Sequence, residues 1–167
     1  AEGIPGGFAG LYPVFAAMED AGAVRRGYFI ESLGGAQFGL PGAIDRMRGA
    51  DPTGVLVLAA ADPANPYGAT LTWPGHDAGS PARRAGAYVV LADGQLAGFI
   101  ERGGRSLLTF SYHEDALTAG LIDIAERVAG SITIATIDGE SAHKSPLGDA
   151  LLGAGFATGY KGLTFRR

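Results

Sequence analysis

Apolar positions at the start of the chain recur at helical spacing and then change to strand spacing. Phe8, Leu11, Phe15 and Met18 lie three and four apart with Glu19 and Asp20 on the other side, which predicts one amphipathic helix. Proline lacks an N–H and suits a first turn, so Pro13 places the expected regular part near Leu11. Gly22 supplies a stop, because glycine takes the left-handed conformation after a last turn. "VRRGYFIESL" then predicts a strand, Gly34-Gly35 a tight turn and "AQFGLP" the returning strand. "AIDRMR" predicts a short connecting helix.

After the turn at Asp51-Pro52 the pattern becomes that of strands. "GVLVLAAA" is a short apolar run between turn signals and predicts a buried strand. "DPANPYG" and "PGHDAGSPARR" predict irregular chain. "AGAYVVLADGQLAGFIERGGRSLLTFSY" predicts a three-stranded meander, turning at Asp93-Gly94 and at "RGGR". Residues 114–129 place Leu117, Leu121, Ile124 and Val128 on one helical face, with Gly130 as the stop. "SITIATIDGESAHK" predicts a strand with a further Asp-Gly turn, Ser145-Pro146 a helix opening, and "GLTFRR" a last strand. The expected class is α+β. Residues 1–50 read as the end of a winged helix, a recognition helix plus a wing hairpin. Residues 51–167 read as a mainly antiparallel β-barrel with two packed helices.

Composition narrows the chemistry. The 167 residues contain no cysteine, which removes disulfides, thiolate metal sites and cysteine nucleophiles together and fits a cytoplasmic protein. The apolar run over residues 55–61 is far too short to cross a bilayer, and no secretory signal opens the chain. The opening "AEGIPGGF" lacks an initiator methionine, so a fragment of a longer protein is expected. Net charge is −4, so phosphate binding through bulk charge is excluded and any nucleic-acid contact must be local.

Four blocks in order carry a family resemblance: "AGAVRRGYFIESLGGAQFGLPGAIDRMR", "AADPANPYGATLTWP", "RRAGAYVVLADGQLAGFIERGGRSLLTF" and "IDGESAHKSPLGDALLGAGFATGYKGLTFRR". Together they resemble the extreme C-terminus of the bacterial long-form Lhr proteins, the large helicase-related family, with the actinobacterial members most similar. The resemblance covers essentially the whole chain. It implies a parent that is an ATP-dependent superfamily 2 DNA helicase, translocating 3′ to 5′ on single-stranded DNA, preferring RNA:DNA hybrids and acting in repair. It also implies tandem upstream winged helices, homo-oligomerisation, and a C-terminal region similar to AlkZ-type DNA glycosylases. ATP and Mg²⁺ would belong to the parent's helicase domains. This chain has no G-x-x-x-x-G-K-[ST] loop, so no cofactor of its own is expected.

Several residues are candidates for contact or catalysis. Arg25, Arg26 and Tyr28 open the wing, where arginines commonly meet phosphate and an aromatic ring stacks or wedges. Strand alternation should send at most one of the two arginines toward a duplex. Arg83, Arg84, Arg102 and Arg105 lie on loops and are further phosphate candidates. Asp62, Asn65, Tyr67, Trp73 and His76 share one irregular segment that would suit an extruded base. In the alternative glycosylase reading, for example removal of uracil, Asp62 is the first candidate to activate water. Gln37 lacks the second polar residue of the AlkZ-type glutamine motif, because Gly39 follows, so catalysis is not expected there. His76, His113 and His143 are too far apart for zinc-type spacing, and Ser106, Ser111 and Ser141 lie in no nucleophile elbow.

Overall fold

The computed structural model describes residues 6–30, 33–50, 53–111 and 113–167. The chain divides into two compact units, Ala1–Asp51 and Pro52–Arg167.

In the first unit, α1 spans Gly7–Asp20 and is followed by β1 (Arg25–Gly27), β2 (Gln37–Gly39) and α2 (Pro41–Gly49). Pro13 lies inside α1 instead of in its first turn. The first turn forms ahead of it because aromatic rings tie it down. Phe8 stacks on Phe15 at 6.2 Å, Phe15 stacks on Phe38 of β2 at 5.2 Å, and Tyr12 meets Phe38 edge-on at 6.0 Å. These contacts offset the hydrogen bond that proline cannot make. Gly22 adopts φ 74°, and the amide of Ala23 reaches back to the carbonyl of Met18 at 2.8 Å, which closes the helix.

The hairpin is shorter than the sequence predicts, with a register of Arg25↔Gly39, Arg26↔Phe38 and Gly27↔Gln37. The ladder stops where a side chain takes over the backbone's role. Gln37 Oε1 accepts from the amides of Phe29 and Ile30, both at 2.9 Å, while Nε2 donates to the carbonyls of Ile30 and Leu33. Glu31 and Ser32, part of the expected first strand, lie outside the described residues. In α2, Pro41 sits in the first turn and Ile44 is the buried residue.

Among the described residues, the second unit holds nine strands in two sheets. The six-stranded sheet runs β3-β4-β5-β6-β8-β9, formed by Val55–Ala59, Tyr88–Ala92, Gln95–Ile100, Ser106–Thr109, Thr136–Ile137 and Glu140–Ser141. The three-stranded sheet runs β10-β11-β7, formed by Ala157–Gly159, Gly162–Arg166 and Ser131–Ile134. The expected barrel is not found closed: among the described residues no ladder joins the outer strands into a ring. The chain bends at Ala135 instead, leaving β7 in one sheet and β8 in the other. The amides of Ala135 and Thr136 both donate to the carbonyl of Arg105, at 2.8 and 3.1 Å. Among the strand ladders of the described residues, that of β6 with β8 is parallel and the others are antiparallel. The Asp93-Gly94 and Asp138-Gly139 turns form as expected, with φ positive at all four residues.

Two helices pack in this unit. Helix α3 spans Glu114–Ile124 and continues as a π turn over Ala125–Ala129; α4 spans Pro146–Gly153. The buried face of α3 carries Leu117, Leu121 and Ile124, as the periodicity predicts. The π turn rotates the next position out, and Val128 is 59% exposed. Both faces of β4 are buried, which explains its unbroken apolar run. Val90 joins the core of α3, Ile134, Leu151 and Leu163, while Val89 and Leu91 join Phe99 and Leu108 in a second core beneath Trp73 and Tyr67. Gly120 lets α3 approach β4, since a Cβ there would lie 2.7 Å from a Val90 methyl.

Candidate nucleic-acid interface

Alternation on the wing gives its two arginines different surroundings. Arg26 turns toward α1, where it forms an ion pair with Glu19 at 2.5 Å and donates to Tyr12 Oη at 3.0 Å. Its guanidinium also lies 5.3 Å from the ring centre of Phe38 and 5.5 Å from that of Tyr12. The hydrogen bonds that it donates to the Glu19 carboxylate hold its pKa above the ordinary arginine value. Arg25 is exposed and has only a loose pairing with Asp45 at 3.8 Å. Tyr28 is 90% exposed. The wing thus offers solvent one weakly paired cation and one open aromatic ring.

Arg83 and Arg84 also differ. The Arg83 guanidinium is committed to backbone: Nη1 donates to the carbonyls of Asn65 and Tyr67, and Nη2 to those of Ala61 and Asp62. It clamps the irregular segment to the loop that leads into β4. Arg84, Arg102 and Arg105 are exposed.

The segment proposed to hold an extruded base is largely engaged in its own folding. Asn65 is fully buried; its Nδ2 donates to the Ala60 carbonyl at 2.9 Å and its Oδ1 accepts from the Tyr67 amide at 3.1 Å. Asp62 Oδ1 accepts from the Ala64 amide at 2.8 Å, an Asx turn. Tyr67 stacks on Trp73 at 5.9 Å, and Tyr67 Oη accepts from the Leu96 amide at 3.2 Å. His76 leaves this group and joins Asp138. Its Nε2 donates to Asp138 Oδ1 at 3.0 Å and its Nδ1 accepts from the Ala78 amide at 3.0 Å. Asp138 also accepts from the amide and the hydroxyl of Thr109, at 2.7 and 2.6 Å. This His76–Asp138–Thr109 chain was missed in the sequence because its members are distant along it. The one local signal was an aspartate at a turn position.

Among the described residues, no His, Cys, Asp or Glu side chains gather in threes to hold a metal ion. No helix among them is long and apolar enough to cross a membrane.

Residues 1–55 match the family model for the winged-helix domain of the large helicase-related protein. The chain is 47% identical over 189 aligned positions to the "Lhr helicase/ probable uracil glycosylase" of Mycolicibacterium smegmatis, an alignment covering 99% of this chain and 12% of that protein. It is 34% identical to the "Lhr helicase/uracil glycosylase" of Escherichia coli, covering 98% of this chain and 11% of that protein. The chain therefore spans about one-eighth of the length of these curated relatives. A winged-helix match on the first unit and relatives aligned along both units lead to one conclusion: along its whole length the chain is similar to a segment of the large helicase-related (Lhr) proteins.

Proposed function

We propose that this chain is the C-terminal segment of an ATP-dependent 3′–5′ DNA helicase acting in repair. Its winged-helix unit makes auxiliary contact with DNA, and its second unit serves assembly with upstream winged helices and with further copies of the chain. ATP and Mg²⁺ would be held by helicase domains elsewhere in such a protein, since the phosphate-cradling loop is absent from this sequence. The observation that carries the reading is the wing, where Arg25 and Tyr28 face solvent on a unit that matches an Lhr winged helix.

The test is fluorescence anisotropy of the chain with labelled single-stranded DNA across a salt series. Loss of one phosphate contact in Arg25→Gln should lower the salt slope by about 0.7. Tyr28→Ala should weaken binding without changing that slope. Unchanged affinity and slope in both variants would remove the wing from DNA contact. For the assembly role, light scattering should give a defined multiple of the chain mass, and a strict monomer counts against self-association.

A second reading, excision of uracil, is favoured by the names of both relatives. It requires a carboxylate to activate water, and Asp62 keeps one oxygen outside its Asx turn. An excision assay on uracil-containing DNA decides it. Activity retained in Asp62→Asn excludes that residue, and no activity in the parent chain excludes the reading for this segment.

A further inference from the structure

We infer that the β10–β11 hairpin is a second nucleic-acid contact, one that takes a single strand. It lies wholly in the second unit, whereas the wing belongs to the first. The pairing Gly159↔Gly162 leaves Tyr160 and Lys161 as the two loop residues. The other two-residue turns of the sheets, Asp93-Gly94 and Asp138-Gly139, carry the residues that tight turns favour. Tyrosine and lysine have no such advantage, so the turn does not explain them. Burial does not explain them either: Tyr160 is fully exposed, at 104% of its reference area.

Charge sets the sign of the partner. The chain carries −4 overall, yet residues 155–167 contain Lys161, Arg166 and Arg167 and no acidic residue. All three cations are exposed. Alternation along β11 sends Leu163 and Phe165 to the core and leaves Thr164 and Arg166 on the outer face. Beside them runs a shallow groove of about 340 Å³, lined by Gly155, Ala157, Thr158, Gly159, Thr164 and Arg166. Small side chains there leave the backbone open to close approach. From Lys161 to Arg166 the strand rises about 17 Å. The arrangement is an open aromatic ring at one end, cations at both ends and a small-residue track between them. That suits a strand whose phosphates follow the track while an unstacked base lies on Tyr160. A duplex keeps its bases stacked inside and offers that ring no face.

The experiment uses the full chain with labelled oligothymidylate, with oligouridylate and a hairpin duplex in parallel arms. Tyr160→Ala should weaken single-strand binding about tenfold and leave the salt slope unchanged, while Tyr160→Trp should retain binding. The double variant Lys161→Gln/Arg166→Gln should lower the slope by about 1.4, two single-strand phosphate contacts. Arg25→Gln, measured alongside, should leave the Tyr160 effect intact. If only the wing variants weaken binding, the hairpin inference fails and the wing reading stands. If Tyr160→Ala binds as the parent does, if binding is confined to the duplex, or if polyglutamate competes as well as nucleic acid, the inference is overturned. The substituted positions are exposed, and circular dichroism confirms that each variant folds.

Discussion

Arg83 and Arg84 are adjacent in sequence, but only Arg83 meets four carbonyl oxygens. A guanidinium can span such a set, whereas an ammonium donates from one point. Arg83→Lys should therefore lower stability by about 1–2 kcal/mol, read from the urea midpoint, and Arg84→Lys should leave it unchanged. Gln37 is a parallel case in the first unit. Its buried amide serves four backbone groups, so Gln37→Ala should cost about 1–3 kcal/mol by leaving donors and acceptors unpaired. Amide exchange at Phe29 and Ile30 is the direct reading, since these two donors lose their acceptor. Gly39 in place of a second polar residue argues against catalysis at Gln37, and nothing along the chain indicates that the side chain replaces a strand partner.

For α3, periodicity and tertiary structure disagree in a measurable way. Leu121 and Val128 fall on the same face by helical spacing, but the π turn leaves Leu121 buried and Val128 exposed. Leu121→Ala should cost about 2–5 kcal/mol through the cavity it leaves, whereas Val128→Ser should stay within about 0.5 kcal/mol. Thermal melts of the two variants compare them directly. A similar cost at both positions would mean that an ordinary helix continues through residue 128. Gly120 tests the packing of α3 on β4. An added methyl meets Val90, which is wholly buried, so Gly120→Ala should cost about 1–3 kcal/mol by overpacking. Helix existence and the Asp-Gly turns were legible because each is set by local pattern, whereas Val55–Ala59, expected to be a buried strand, lies at the edge of its sheet with Val55 and Leu56 exposed. Pro13 inside α1 was not legible, because aromatic contacts with β2 outweigh its local penalty.

Across the whole molecule, the division into Ala1–Asp51 and Pro52–Arg167 predicts that damage to one unit stays there. Gln37→Ala should speed amide exchange in β1 and β2 and leave β4 to β6 unaffected, as read by exchange mass spectrometry. Faster exchange in both would show that the units unfold together. The order of elements, the turn chemistry, the lack of thiol chemistry and the family resemblance can be read from the residues alone. All of these lie in residue types and near spacings. The folded chain is needed to see that Arg83 is the clamped arginine, that His76 meets Asp138, that residues 131–137 bend from one sheet into the other, and that Tyr160 stands in solvent. Each of these depends on groups far apart along the chain meeting, or failing to meet, and burial and hydrogen bonding resolve that only after the strands have paired.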